Sequence, residues 1–179
     1  MSELQKFLFD GLPVRGAAVR LDDAWTAMQA ARAQSGGYPP VVTRLLGEMT
    51  AAALLMQANI KFNGAVILQV QGDGPVKLAV VEVQPDFAVR ATATLQGDVP
   101  ADATLTQLVN VNNQGRCAIT LDPKDRLPGQ QAYQGVVPLF DDDGEPIDTF
   151  SDILAHYMLQ SEQLDTRLVL AANETIVAG

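Results

Sequence analysis

The stretch from residue 41 to residue 59 constrains the fold most, because it is apolar on nearly every side of a helix. Between residues 45 and 60 the only strongly polar side chains are those of Glu48, Gln57 and Asn59. A helix that is hydrophobic almost all round is buried, either in a protein core or in a membrane. Glu48 interrupts the run, which leaves it short of the roughly 20 apolar residues that span a bilayer. We therefore predict a central helix that is covered by β-sheet.

The residues after this helix change to an alternating pattern, which predicts three successive antiparallel strands. The sequence Gly-Asp-Gly-Pro at 72–75 predicts the first turn, since it leads into a strand and fits no phosphate-binding glycine motif. One face of this meander is predicted to cover the central helix, with the apolar side chains of Val66, Leu68, Val70, Val76, Leu78, Val80, Val89, Ala91, Ala93 and Leu95. The opposite face is predicted to be mixed, with Ile67, Ala79, Val81 and Val83 among Gln69, Gln71, Lys77 and Arg90.

The remaining patterns complete an α+β fold in a single domain over residues 1–179. Two sheets that sandwich the central helix are the simplest way to bury it. Turn residues and apolar periodicity predict strands at 6–9, 14–21, 116–121, 132–139 and 167–172, and helices over 24–34, 103–109 and 149–160. The strands at 116–121 and 132–139 are expected to pair as a hairpin. No element is evident near Gly179, so we expect a longer protein to continue beyond it.

The charge balance limits the classes of partner. Twelve Lys and Arg residues against 21 Asp and Glu residues give a formal charge of −9. A surface this negative repels phosphate backbones and anionic lipids, which argues against nucleic acid and membrane surfaces as partners. The start of the chain, MSELQKFLFDGL, has no pattern of a secretory signal, and the single cysteine cannot form an internal disulfide. The expected location is the cytoplasm.

Few residues point to chemistry, and each has a structural explanation. Cys117 could act with His156 as nucleophile and base, although a small buried core residue is the favoured interpretation. One cysteine and one histidine cannot build a structural zinc site. The acidic run 141–145 lacks the spacing of a calcium loop and predicts a solvated turn, and the pair Asp22 and Asp23 fits a helix start. We predict no catalytic, cofactor-binding or metal-binding residue, and no enzyme.

Four segments resemble, in order and spacing, the N-terminal domain of the heat shock protein 33 family, the redox-regulated bacterial chaperones. They read FLFDGLPVRGAAVRL, LLGEMTAAALLMQANIKFNGAVILQVQGDGPVKLAVV, AYQGVVPL and YMLQSEQLDTRLVLA, and together they span essentially the whole chain. The resemblance implies a cytoplasmic holdase that binds unfolding or oxidatively damaged proteins without ATP. It also implies a core in which a hydrophobic helix lies between sheets.

The chain departs from the family pattern at the family's zinc module, a Cys-x-Cys followed by a Cys-x-x-Cys at the C-terminal end. Neither motif occurs here, so no zinc ligand and no redox role is carried over to Cys117. We expect a truncated form that contains the chaperone domain without its redox switch. Such a domain is expected to bind unfolded clients whatever the redox state.

The resemblance does not say which residues contact a client. A holdase needs apolar surface that stays exposed in the folded state, and the mixed face of the meander offers Ile67, Ala79, Val81 and Val83. The alternative is that a second layer of structure covers this face. Unpaired sheet edges also suggest a homodimer formed by exchange of strands or domains. Two other functions stay open at this point: an interaction domain for one defined partner, and a cysteine-dependent enzyme.

Overall fold

A computed structural model describes all 179 residues, and the fold class is α+β as predicted. The helices are α1 (Asp23–Ala33), α2 (Pro40–Asn59), α3 (Leu105–Val109) and α4 (Phe150–Glu162). The strands are β1 (Glu3–Leu8), β2 (Arg15–Leu21), β3 (Gly64–Gln71), β4 (Val76–Val83), β5 (Val89–Leu95), β6 (Arg116–Pro123), β7 (Tyr133–Pro138), β8 (Ala171–Ala172) and β9 (Val177–Ala178).

Helix α2 is the centre of the molecule. Pro40 occupies its first turn, where a missing N–H is tolerated, and 14 of its 20 residues are buried. Strands β3, β4 and β5 pack on one side of the helix, and β2, β8 and β9 pack on the other. The prediction of an apolar helix between two sheets is confirmed. Thr50, which is fully buried, donates its hydroxyl to the carbonyl of Leu46 one turn earlier, so its polar group is satisfied.

The larger sheet is antiparallel throughout, with the order β5-β4-β3-β6-β7. It contains the predicted meander and also the predicted β6–β7 hairpin. Strand β6 pairs with β3 over eight residues, from Gly64 opposite Pro123 to Gln71 opposite Arg116. The hairpin therefore extends the meander's own sheet. Inner-face side chains of this sheet join those of α2 in a cluster of 30 buried residues.

The smaller sheet has the order β1-β2-β9-β8 and joins the two ends of the chain. The strand predicted over 167–172 is wrong for 167–170, since only Ala171–Ala172 pair. The preceding residues have no neighbouring strand with which to form a ladder. The expectation that no element lies near the end is also wrong, because Val177–Ala178 form the strand between β2 and β8.

Candidate functional site

The four residues predicted to bind clients do not share a face. Ala79, Val81 and Val83 are all 0% exposed and lie opposite residues of β3 that face α2. Only Ile67 projects to the outer side of the sheet, where it is half-buried. The prediction that the other three line an accessible surface is therefore wrong, because their side chains form part of the core.

The error has a local cause at the start of β4. The pairing of β4 with β5 is irregular between Val76 and Leu78, so Lys77 sits in a bulge. Val76 and Ala79 are both buried although they are three residues apart. In a strand with strict alternation, two residues an odd number of positions apart point to opposite faces of the sheet. A bulge inverts the faces of all later residues in its strand. An alternation counted from Val76 therefore predicted the wrong face of the sheet for the residues of β4 that follow the bulge.

The outer face of the larger sheet carries a mixed surface. Leu78 and Val80 are half-buried there, and Val136 on β7 is 56% exposed. The guanidinium of Arg90 on β5 lies 2.7 Å from the carboxylate of Glu82 on β4. This face therefore offers separate apolar side chains among polar and charged ones.

A second exposed surface lies at the tip of the β1–β2 hairpin. Five apolar side chains, on both faces of the hairpin, are at least 46% exposed there. We call this group the hairpin patch: Phe7, Leu8, Phe9, Leu12 and Val14. The rings of Phe7 and Phe9 make an edge-to-face contact with centroids 5.7 Å apart. The Phe7 ring also lies against Gly16, where an added Cβ would come within 2.3 Å of it. The patch is thus held in place by the hairpin.

The sequence pattern did not predict the hairpin patch, because the segment FLFDGLPV indicated only a strand and a turn. A signal was present. A turn that is exposed on all sides is normally polar. This turn and the residues beside it are instead apolar at positions 7, 8, 9, 12 and 14. Large exposed apolar groups of this kind mark interaction surfaces in folded proteins.

Cys117 lies in the core, as predicted. It is 0% exposed on β6, between Val70 of β3 and Val137 of β7, and burial raises the pKa of its thiol to about 12. A thiol that stays protonated at neutral pH is not a nucleophile. His156 is half-buried on α4, with its Nε2 atom 3.9 Å from a carboxylate oxygen of Asp142. The catalytic interpretation of Cys117 gains no support from this environment.

The Gly-Asp-Gly-Pro sequence forms the β3–β4 turn, as predicted, and it also anchors the loop after α3. A carboxylate oxygen of Asp73 accepts the backbone N–H groups of Asn112 and Gln114, at 2.8 and 3.0 Å. A Cβ at Gly74 would come within 2.6 Å of the carbonyl oxygen of Leu108. The glycine allows the close approach of two loops, and the carboxylate holds them together.

The acidic run at 141–145 also has a structural role, because it accepts hydrogen bonds from backbone N–H groups. One carboxylate oxygen of Asp141 accepts the N–H groups of Asp143 and Glu145, at 3.0 and 2.9 Å, which confirms the predicted turn. No group of three or more His, Cys, Asp or Glu side chains is arranged to hold a metal ion. No helix combines the length and hydropathy needed to cross a bilayer.

Similarity to known proteins extends over nearly the whole chain. The family model described as Hsp33 protein matches residues 2–179. The chain belongs to the Hsp33 family. Curated Hsp33 relatives named 33 kDa chaperonin include one from Chromobacterium violaceum, which is 48% identical over 99% of this chain and 55% of its own length. One from Neisseria meningitidis is 39% identical over 97% of this chain and 53% of its own length.

A solved structure supports the Hsp33 fold independently. The crystal structure of the 33 kDa chaperonin from Thermotoga maritima superposes with a TM-score of 0.73 at 18% sequence identity, over 98% of this chain and 59% of that one. The chain spans about half the length of the curated relatives that it matches.

Proposed function

We propose that this Hsp33 chain is an ATP-independent holdase of the cytoplasm that binds unfolding proteins and keeps them from aggregating. The observation that carries the proposal is the hairpin patch, whose five apolar side chains stay exposed while 30 other residues form a buried core. The name 33 kDa chaperonin of the curated relatives supports it. Non-native proteins expose apolar side chains, and burying these against the patch would release water from both surfaces.

The hairpin patch suits clients of many sequences. It is built from flat rings and aliphatic side chains, which make contacts that do not depend on direction, and Asp10 is the only charged residue between Phe7 and Val14. Ile67, Val80 and Val136 on the outer sheet face provide further apolar contacts for a long unfolded chain. Ala79, Val81 and Val83 have no place in this proposal because they are buried.

Aggregation of a thermally unfolded client, followed by light scattering, tests the proposal. We expect Leu8→Ser and Leu12→Ser to weaken suppression severalfold, since Leu8 and Leu12 are 81% and 61% exposed in the patch. Leu127→Ser is the matched control, because Leu127 is 71% exposed in the loop between β6 and β7, outside the hairpin patch. Failure of the unmodified protein to suppress aggregation would refute the holdase function. Saturable binding to one native protein without suppression would favour an interaction domain.

We also propose that capture of clients by this stretch does not depend on redox state. One buried cysteine and one histidine do not make a zinc site, and no thiol pair is present to form a disulfide. Suppression of aggregation should be equal after treatment with peroxide and after treatment with a thiol reductant. Suppression that appeared only after peroxide would contradict this.

A further inference from the structure

Strand β1 is an open edge of the smaller sheet. Its six residues pair with β2 in a regular register, from Glu3 opposite Arg20 to Leu8 opposite Arg15, and no strand lies on its other side. Proline residues and bulges commonly block the pairing of an edge strand, and β1 contains neither. The edge is therefore free to accept a further strand.

The hydrogen bonds of β2 show which backbone groups of β1 point to this edge. The N–H and carbonyl of Val19 both bond to Gly179, at 2.8 and 3.0 Å, on the side of β2 that faces β9. Opposed residues of an antiparallel pair either bond to each other or both point away, and Leu4 lies opposite Val19. The N–H and carbonyl of Leu4 therefore point outward, as do those of Lys6 and Leu8 at the alternate positions.

No other group in the chain satisfies these outward groups. At the tip of the hairpin, the N–H of Phe9 donates to the carbonyl of Val14 at 3.0 Å, which agrees with odd-numbered residues bonding to β2. The side-chain hydrogen bond of β1 joins Gln5 to Glu3 and does not involve the backbone. The three outward residues thus present unpaired donors and acceptors about 6.7 Å apart.

The other three sheet edges are less open than β1. Strand β8 has only two residues. Tyr38 donates to the carbonyl of Ala93 in β5 and accepts its N–H. Strand β7 ends in Pro138, whose nitrogen has no hydrogen to donate. An added strand therefore finds its longest uninterrupted run of free backbone groups on β1.

An extended polypeptide is the ligand that matches this edge, because its backbone repeats donors and acceptors at the same interval. Its side chains would alternate between the two faces of the sheet, where Phe7 and Phe9 lie on one face and Leu8 on the other. Unfolding proteins supply such segments, with unpaired backbone groups and exposed apolar side chains. The edge and the hairpin patch thus fit the same kind of ligand.

The charges of the protein favour a client over a second copy. Two copies repel each other, since each has a net charge of −9. Lys6 lies in the middle of the edge, and a lysine at this place disfavours the pairing of two folded edges. An unfolding client offers many segments, and those with no basic residue opposite Lys6 avoid this repulsion.

We propose that an extended segment of an unfolding client adds a strand to the open edge of β1, with backbone hydrogen bonds to Leu4, Lys6 and Leu8. This inference rests on the proposed holdase function and gives it a binding mode. The client's backbone pairs with β1 while its side chains contact the hairpin patch. Part of the affinity then comes from groups that every polypeptide has, so clients need not share a sequence.

Amide hydrogen exchange of the unmodified protein, resolved to single residues by NMR, tests the edge directly. The probe is a short peptide that alternates valine and threonine. We expect it to slow the exchange of the N–H groups of Leu4, Lys6 and Leu8 by at least about ten-fold, and to leave that of Gln134 on β7 unchanged. Unchanged rates on β1 would overturn the inference. Protection that appeared without peptide and grew with protein concentration would identify a second copy as the occupant and overturn it too.

Lys6→Pro removes one outward N–H and keeps every hydrogen bond to β2, because that N–H points away from β2. In fluorescence anisotropy, we expect the labelled peptide to bind this variant at least about ten-fold more weakly than the unmodified protein. Gln134→Pro is the matched control on the β7 edge and should leave the affinity unchanged. Equal affinity for Lys6→Pro and the unmodified protein would overturn the inference.

A change in the peptide provides a test that does not depend on how the Lys6→Pro variant folds. N-methylation of two adjacent central residues keeps all side chains and blocks both edges of the peptide, so the unmodified protein should bind it weakly. Equal binding of the ordinary and N-methylated peptides would overturn the backbone pairing.

Light scattering of a client separates this inference from the holdase function. If the protein suppresses aggregation but the peptide does not slow exchange on β1, the edge inference fails and the holdase function stands. If the peptide slows exchange on β1 but no client is protected, the holdase function fails and the edge stands as a site for extended peptides.

Discussion

Gly47 lies in the middle of α2, where glycine is unfavourable by about 1 kcal/mol relative to alanine. Its position explains why it is there. A Cβ on Gly47 would come within 2.5 Å of the Cβ of Ala172 and 3.0 Å of Val177, which belong to the smaller sheet. The indole of Trp25 approaches the same point, at 3.3 Å. The missing side chain lets the short strands β8 and β9 pack directly on the helix.

We expect Gly47→Ala to lower the free energy of unfolding by about 1–3 kcal/mol, because overpacking outweighs the gain in helix propensity. Urea denaturation followed by circular dichroism measures this change. Ser161→Ala, at an exposed position of α4, is the control and should be neutral or slightly stabilising. A stabilised Gly47→Ala protein would show that the smaller sheet moves away from α2 at no cost.

Glu48, the next residue along α2, links stability to pH. Burial raises the pKa of its carboxyl above the ordinary value of 4.5, and Arg44 opposes this shift only in part. The fold therefore favours the protonated form, and the ionised carboxylate destabilises the fold once the pH rises through the folded-state pKa. We expect Glu48→Gln to raise the free energy of unfolding at neutral pH and to give no gain in acid, where Glu48 is already neutral.

Urea midpoints of both proteins across this pH range provide the measurement. Arg44 and Asp148, the charged residues nearest to Glu48 around the cavity between α2 and α4, are present in both proteins. A gain that persisted in acid would point to packing of the amide and not to the charge of Glu48.

At the scale of elements, one side chain satisfies the outward backbone groups in the middle of the β5 edge of the larger sheet. The hydroxyl of Tyr38 donates to the carbonyl of Ala93 at 2.9 Å and accepts the N–H of the same residue at 2.8 Å. Both groups point away from β4, where another strand would otherwise pair. The guanidinium of Arg32 stacks 4.0 Å above the Tyr38 ring and fixes it there.

We expect Tyr38→Phe to increase self-association, since the mutation leaves both backbone groups of Ala93 without a hydrogen-bond partner, which favours pairing with a strand of another copy. Sedimentation velocity at several concentrations should show a larger fraction of oligomers than in the unmodified protein. Tyr133→Phe, on the opposite edge strand β7, is the control for loss of a tyrosine hydroxyl. Identical distributions in all three proteins would contradict the role of Tyr38. The homodimer expected from the sequence stays a prediction that this experiment also addresses.

Elements with strong local signals were predictable, and those defined by distant partners were not. The turn residues between β3 and β4, the proline that opens α2 and the threonine that precedes α4 mark boundaries that the structure confirms. The bulge at Lys77 carries no clear sequence signal, so the faces of β4 were inverted. Residues 167–170 have the composition of a strand, but composition does not reveal that no neighbouring strand is available.

At the scale of the whole molecule, the sandwich around α2 followed from the apolarity of that helix alone. The sequence did not reveal which strands belong to which sheet. Strand β6 could pair with any open edge, and β2 pairs with β9 more than 150 residues later in the chain. The hairpin patch was missed for a related reason. Exposure depends on what the rest of the fold leaves uncovered, and a local pattern contains only part of that information.

The net charge of −9 predicts how clients are encountered. Apolar contacts hold a bound client, but long-range attraction sets the rate of encounter, so a basic client should be captured faster than an acidic one at low ionic strength. Salt should reduce this difference, because it screens charges beyond about 10 Å at 0.1 M. Stopped-flow capture of two labelled unfolded clients of opposite charge measures both rates. A preference that did not change with salt would contradict an electrostatic origin.

The position of β9 between β2 and β8 also sets the timing of folding during synthesis. The first hairpin leaves the ribosome early, but its neighbouring strand at Val177–Ala178 is translated more than 150 residues later. At about 5–20 residues per second, this interval is about 10–30 s. A nascent chain therefore exposes one edge of its N-terminal hairpin throughout this interval, and the smaller sheet closes only after residue 178 has emerged.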